Sequence, residues 1–203
     1  MWDVHTRIGG FAGSGLLYNT CPASASAVST PNPNCIAAFM SLHLGKTSQG
    51  VYLENVWAWV ADHDIEDATL RRTTVYAGRG IFSESTKGSF WFVGTSSEHH
   101  VLYQYQFVNT PNVYMGQIQT ETAYFQPNPK ASIPFPVLSA WNDPDFKTSC
   151  GGQTGVPCED GWALRIINSQ SIFVYGAGLY SFFNNYSTSK HNTSSLCSIG
   201  QMS

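Results

Sequence analysis

The sequence predicts an all-β fold, a parallel β-helix of short coils, and three observations carry that prediction. Short β-rich runs alternate with clusters of Gly, Asn, Ser and Asp, and hardly any stretch of the 203 residues keeps a helical period. Three apolar runs, Phe90-Trp91-Phe92-Val93, Val113-Tyr114-Met115 and Phe173-Val174-Tyr175, each close on a glycine (Gly94, Gly116 and Gly176), the residue that a tight solenoid corner accepts most easily. Gly94 and Gly116 stand 22 positions apart, and Glu98 and Glu121 stand 23 apart. Both intervals fit solenoid coils of about 20 to 25 residues. A β-sandwich has the same short strands and regular turns, and it is the alternative.

In chain order, the expected strands are residues 50–53, 56–60, 73–77, 81–84, 89–93, 100–107, 112–119, 163–168 and 171–175. Each is rich in β-branched or aromatic residues and bounded by turn formers. Two regions break the pattern. Residues 24–34 are rich in Ser, Ala and Pro. Residues 124–160 carry Pro127, Pro129, Pro134, Pro136, Pro144 and Pro157 and read as a long loop insertion. That loop leaves directly after Glu121, so it either walls a cleft or packs over the sheet. The 203 residues together read as a single domain.

Composition narrows the function. The apolar runs fall far short of the ~20 residues that a bilayer helix needs, so no membrane partner is expected. Ten basic and thirteen acidic residues give a formal charge of −3 with no basic stripe, which argues against nucleic acid. Charged residues make up only 11% of the chain, whereas Asn, Gln, Ser, Thr, Tyr and Trp abound. That balance suits a neutral, hydroxyl-rich ligand read by hydrogen bonds and ring stacking, such as a polysaccharide.

Cys21, Cys35, Cys150, Cys158 and Cys197 form no CxxC pair. Local disulfides, Cys21 with Cys35 and Cys150 with Cys158, are expected to staple loops and leave Cys197 over. With sequons at Asn185 and Asn192, this points to a secreted, extracellular protein. The start Met1-Trp2-Asp3-Val4-His5 has no signal peptide, which suggests a piece of a longer chain.

Glu98 and Glu121 are the candidate catalytic pair. On neighbouring rungs their carboxyls would lie about 4.8 Å apart, and like charge with partial burial favours the protonated form of one, which then serves as a general acid. Two carboxylates beside aromatics suggest a carbohydrate-cleaving site. Trp57, Trp59 and Tyr124 are candidate sugar platforms. Trp57 and Trp59 share a strand face, so both line the cleft or both join the core. Gln104 and Gln119 are candidates for binding hydroxyls, although solenoid amide ladders explain them equally well. Asp62 in Asp62-His63-Asp64 orders a corner and is a candidate to line the cleft. A calcium site is not favoured there, because calcium avoids histidine. His99 and His100 read as buried, hydrogen-bonded residues without metal-ligand spacing, and neither a metal nor a cofactor is expected. No catalytic triad or phosphate loop can be assembled.

The strings Trp2-Asp3-Val4-His5-Thr6-Arg7-Ile8-Gly9-Gly10, Asn55-Val56-Trp57-Ala58-Trp59-Val60-Ala61-Asp62-His63-Asp64, Glu98-His99-His100-Val101-Leu102-Tyr103-Gln104-Tyr105, Gln117-Ile118-Gln119-Thr120-Glu121-Thr122 and Tyr175-Gly176-Ala177-Gly178-Leu179-Tyr180-Ser181-Phe182-Phe183 resemble the C-terminal part of glycoside hydrolase family 55. The resemblance spans nearly the whole chain. It implies a secreted β-1,3-glucanase of laminarin type, exo-acting and inverting, with a right-handed, pectate-lyase-like parallel β-helix that forms one half of a tandem pair. The N-terminal half would then be a partner in cis. It also implies that Glu121 is the general acid and Glu98 a second acidic residue that tunes the acid or orders the water. Inversion needs carboxyls roughly 6.5 to 9.5 Å apart, so on adjacent rungs the water is expected to be held by a polar network that includes residues of the N-terminal half, rather than by Glu98 alone. A non-catalytic carbohydrate-binding module is the competing reading.

Overall fold

Ten strands pair in parallel throughout and divide into two sheets in a computed structural model that describes residues 1–24, 26, 30–148 and 158–188. In chain order they are β1 (Trp2–Ile8), β2 (Ile36–Leu44), β3 (Gln49–Val60), β4 (Tyr76–Ser83), β5 (Gly88–Val93), β6 (Ser96–Glu98), β7 (Tyr103–Val108), β8 (Pro111–Glu121), β9 (Trp162–Ile167) and β10 (Gln170–Tyr180). The larger sheet runs β1-β3-β5-β8-β10, with β6 continuing the line of β5 between β3 and β8. The smaller runs β2-β4-β7-β9. Among the described residues the only helical pieces are two single 3-10 turns, Pro33–Cys35 and Ser139–Trp141.

The expected right-handed, pectate-lyase-like solenoid of regular coils is corrected by this layout to a two-sheet all-β domain that is not closed into a barrel. Neighbours in the larger sheet lie 52 positions apart (Trp2 and Glu54), then 39 (Gln49 and Gly88), 23 (Phe90 and Val113) and 59 (Pro111 and Gln170). Only the 23-residue step has the length expected of a coil. The others are stretched by long connections, so one interval had been extended to a repeat that the chain does not keep. The strands also differ from expectation. Residues 50–53 and 56–60 are one strand, and 76–77 of the expected strand 73–77 merge with 81–83 of the next into β4. Gly78 and Gly80 lie inside β4 because a Cβ on Gly80 would come within 2.2 Å of the Gln104 carbonyl oxygen.

The main core fills the space between the sheets. Leu53, Phe90, Phe92, Val113 and Met115 from the larger sheet meet Ile81, Tyr105 and Phe107 from the smaller. A second cluster joins Phe82 and Tyr103 to Phe125, Phe135 and Phe146 of the segment after β8. That segment therefore packs on the smaller sheet and buries β4 and β7 completely. Cys21 and Cys35 form a disulfide, as their loop spacing led us to expect. Cys158 is also disulfide-bonded, while Cys150, Cys197 and the Asn192 sequon lie outside the described residues.

A line of left-handed residues crosses the larger sheet. Asp3, Asn55, Gly94, Gln117 and Gly176 fall at one register level on β1, β3, the β5–β6 junction, β8 and β10, with φ between 49° and 80°. Of the corner glycines expected from sequence, Gly94 and Gly176 are thus bends within strand lines, and Gly94 aligns with Gln117 rather than Gly116. The left-handed residue at this level breaks the period of two in each strand line. On β3, Tyr52 and Glu54 are exposed before the bend, and Trp57 and Trp59 are partly exposed after it, with Leu53, Val56 and Ala58 buried. The outer face therefore carries two zones. One holds the register row Tyr52, Trp91, Tyr114 and Phe173, and the other holds the row that contains both glutamates.

Candidate active site

Beyond the bend, pairing brings Arg7, Trp59, Glu98, Glu121 and Tyr180 onto one level of five successive strands. Parallel strands are spaced at about 4.8 Å, so the two glutamates are lateral neighbours by construction. Both are buried, Glu98 to 4% and Glu121 to 8% exposure, although they sit on the outer face. Aromatic neighbours provide the cover.

Glu98 accepts three hydrogen bonds. Trp57 Nε1 donates to Oε2 at 2.9 Å, while Ser96 Oγ and Gln119 Nε2 donate to Oε1 at 2.6 and 2.7 Å. A carboxyl surrounded by donors is fixed in orientation and acts as an acceptor. Glu121 is held differently. Its Oε2 lies 3.3 Å from His99 Nε2, its carbonyl accepts from the His99 amide at 2.9 Å, and its carboxyl hydrogen-bonds to Tyr124. Burial, followed by the charges of Glu121 and Asp62, pushes the Tyr124 phenol far above its usual range and keeps it protonated. The two carboxyls thus differ in environment, one saturated by donors and one facing a histidine and a phenol.

Stacked aromatic pairs flank the glutamates on both sides. Trp57 and Trp59 stack with centroids 4.5 Å apart, and the Arg7 guanidinium lies over Trp59 at 4.1 Å. Tyr180 and Phe182 stack at 4.9 Å on the β10 side and are largely open to solvent. Tyr124 packs edge-on against His99 at 4.7 Å and 4.0 Å from Phe183.

The residues expected at the site do not all converge. Glu98, Glu121, Trp57, Trp59, Tyr124 and Gln119 do. Asp62 is at its margin, hydrogen-bonded to His63 and lining a small cavity with His99 and Tyr124. Gln104 is elsewhere. It is buried, its Oε1 accepts from the His100 amide and its Nε2 donates to the His100 carbonyl. His100 bonds to Ser41 Oγ, and burial lowers it to about 3, so it is neutral. Sequence reasoning missed Ser96, His99, Tyr180 and Phe182 as parts of the site. Tyr180 lies 59 positions from Glu121 and reaches it only through the β8–β10 register.

One ligand atom each from Glu98, His99 and Glu121 lies within 4.8 Å of the others, so the three could together hold a metal ion. The Glu98 oxygens already accept three hydrogen bonds, however, and Glu121 Oε2 faces His99 Nε2 at 3.3 Å, so these atoms are committed to donors and to one another. Chemically, the arrangement can stack the apolar faces of sugar rings on both sides and pass a proton to an oxygen placed between them.

No protein-family model matches the chain. Over 186 residues, 92% of this chain, it is 50% identical to the probable glucan endo-1,3-beta-glucosidase of Arthroderma benhamiae and 42% identical to the glucan 1,3-beta-glucosidase of Cochliobolus carbonum. It is also 48% identical over 176 residues, 87% of this chain, to the non-secreted LysM effector LysM15 of Penicillium expansum. The matches cover 20%, 22% and 12% of those proteins, so the chain spans about a fifth or less of their length. The chain is homologous to proteins named as β-1,3-glucan hydrolases.

Proposed function

We propose that the chain carries the acid-bearing part of a β-1,3-glucan hydrolase of glycoside hydrolase family 55, acting on laminarin-type glucan outside the cell. The observation that carries this reading is the in-register pair Glu98 and Glu121 set between two stacked aromatic pairs. Glu121 is the general acid. It protonates the glycosidic oxygen as the bond to the anomeric carbon breaks. Glu98, fixed by three donors, orders the neighbouring polar groups and holds negative charge beside the oxocarbenium-like transition state.

The action is exo and inverting, as the family resemblance implies. Oxygens of the two carboxyls come within 4.8 Å, closer than the roughly 6.5 to 9.5 Å of an acid and base that hold a water between them. Glu98 is therefore not the base. In this reading the water is activated by a residue of the larger protein, in the N-terminal half that partners this domain in cis. Neither a metal nor another cofactor takes part.

The test is reducing-sugar release from laminarin by the chain and by a longer natural form, each beside Glu121→Gln. A loss of roughly 10²- to 10⁴-fold in the variant supports the assignment. Unchanged turnover removes Glu121 from the role. The match to a protein named as a LysM effector favours a second reading, a glucan-binding module without hydrolysis. Binding of laminarin by both forms, with hydrolysis by neither, decides for it.

A further inference from the structure

The surroundings of His99 go beyond a buried structural histidine. The residue is 4% exposed and has φ of 66°, a left-handed conformation that is costly for a side chain of this size and that turns its ring beneath Glu121. Its Nδ1 lies 2.9 Å from the Val60 carbonyl oxygen, and a carbonyl can only accept, so Nδ1 carries a hydrogen. The Trp59 indole N–H, 3.3 Å from the same nitrogen, can only donate and is therefore not satisfied there. The variable proton of the ring is thus the one on Nε2. That atom is buried without a well-aligned hydrogen-bond partner, and it lies 3.3 Å from Glu121 Oε2. Catalytic hydrogen bonds are often loose in unliganded sites and tighten around substrate.

We infer that His99 is a positioning residue that shares one proton with Glu121 between Nε2 and Oε2, so that the pair rather than the carboxyl alone is the acid. This rests on the glucanase reading for its function but not for its existence. In turnover, the shared proton moves from Nε2 onto Oε2 and Glu121 gives it to the glycosidic oxygen, which leaves a carboxylate beside a neutral imidazole with Nδ1–H still on Val60. Water returns one proton to the pair through a cavity of about 10 Å³ lined by Asp62, Thr73, His99 and Tyr124.

The groups around the ring agree with this assignment. Glu121 and Tyr124 face it from β8 and the turn that follows, Asp62 from the loop after β3, and Glu98 and neutral His100 from its own segment. Arg72, over the Tyr124 ring at 5.9 Å, and Arg7, over the Trp59 ring at 4.1 Å, are nearby cations. Burial opposes charging of His99. The hydrogen bond and charge of Glu121, the charge of Asp62 and the Val60 carbonyl outweigh it and raise the ring above its ordinary 6.5. Stability from the charged pair is therefore full below the unfolded value of about 6.5 and is lost as pH rises through the higher folded value.

Nitrogen-15 NMR of the labelled chain tests the pair without substrate. The expected result is an Nδ1–H neutral tautomer that titrates above 6.5 and falls by about one unit or more in Glu121→Gln. An Nε2–H tautomer in the unmodified chain, or a titration that Glu121→Gln leaves in place, overturns the inference. With laminarin, His99→Gln is expected to move the alkaline limb of the rate profile toward acid by about one unit or more. An active His99→Gln whose limb does not move overturns the inference. A confirmed pair in a protein that never cleaves laminarin instead removes the glucanase reading and leaves the shared proton standing.

Discussion

The outer faces of the two sheets have been treated in opposite ways. The smaller sheet is covered by the segment after β8, whose Phe125, Phe135 and Phe146 pack on Phe82 and Tyr103. The cover is locked by a buried ion pair. Arg79 Nε donates to Asp143 Oδ1 at 2.8 Å, a second contact joins Arg79 Nη2 to Oδ2, and Oδ2 also accepts from the Leu138 amide. The larger sheet keeps its outer face open, with partly exposed aromatics on β3, β5, β8 and β10 around two buried carboxyls. Both sheets are parallel and comparably apolar. The difference shows that exposure of the larger face is not a shortage of chain to cover it, since the segment that carries Phe125, Phe135 and Phe146 goes to the other side.

The comparison can be broken most sharply at the lock. Asp143→Ala strands the Arg79 guanidinium in the interior and is expected to lower stability by about 3–5 kcal/mol, read from the urea midpoint. Replacing both partners, Arg79→Met with Asp143→Leu, is expected to restore most of that loss. A loss below ~1 kcal/mol for Asp143→Ala would mean that the cover holds without its lock.

A smaller effect is expected at His100, which ties the underside of the site to the smaller sheet through Ser41 and Gln104. Its folded value of about 3 lies below the ordinary 6.5, so protonation favours the unfolded chain. Stability from this group is complete above about 6.5 and declines as pH falls, by at most about 1.4 kcal/mol per unit. His100→Asn should flatten the acid limb of the unfolding free energy by that difference. Equal slopes in the two proteins would show that His100 is not buried neutral.

The smallest effect concerns the open face itself. Tyr180→Ala is expected to raise the KM for laminarin oligosaccharides by a few fold, on the order of 1 kcal/mol of lost stacking. Tyr114→Ala, in the aromatic row on the other side of the bend, is expected to leave KM unchanged. If the two variants lose affinity equally, the whole face binds glucan rather than the zone beside the glutamates.

The adjacency of Glu98 and Glu121 was legible in the sequence because the connection between their strands is short, and a 23-residue interval returned the chain to the next level of the same sheet. The two-sheet layout was not legible, because register intervals of 39 to 59 positions between neighbouring strands carry no repeat. β1 and β2 were missed. β2 reads Ile-Ala-Ala-Phe-Met-Ser-Leu-His-Leu, an apolar run without strict alternation, and β6 is only three residues long. Gln104 looked like a ligand amide because sequence cannot show which carbonyl an amide meets. Trp57 and Trp59 could be assigned to a common face by their spacing, but the left-handed Asn55 before them decided which face that was.

Because Glu98 and Glu121 are placed by strand pairing, their separation behaves like a lattice constant. A packed helical site can be adjusted by fractions of an ångström through any neighbouring side chain. Here the available moves are discrete, either one strand sideways, about 4.8 Å, or one residue along, about 3.3 Å with a reversal of face. Gradual drift in the rest of the domain therefore leaves the spacing of the pair untouched, whereas a single inserted residue in β6 or β8 would remove it at once. A chemistry set by such a grid is robust to substitution and brittle to insertion.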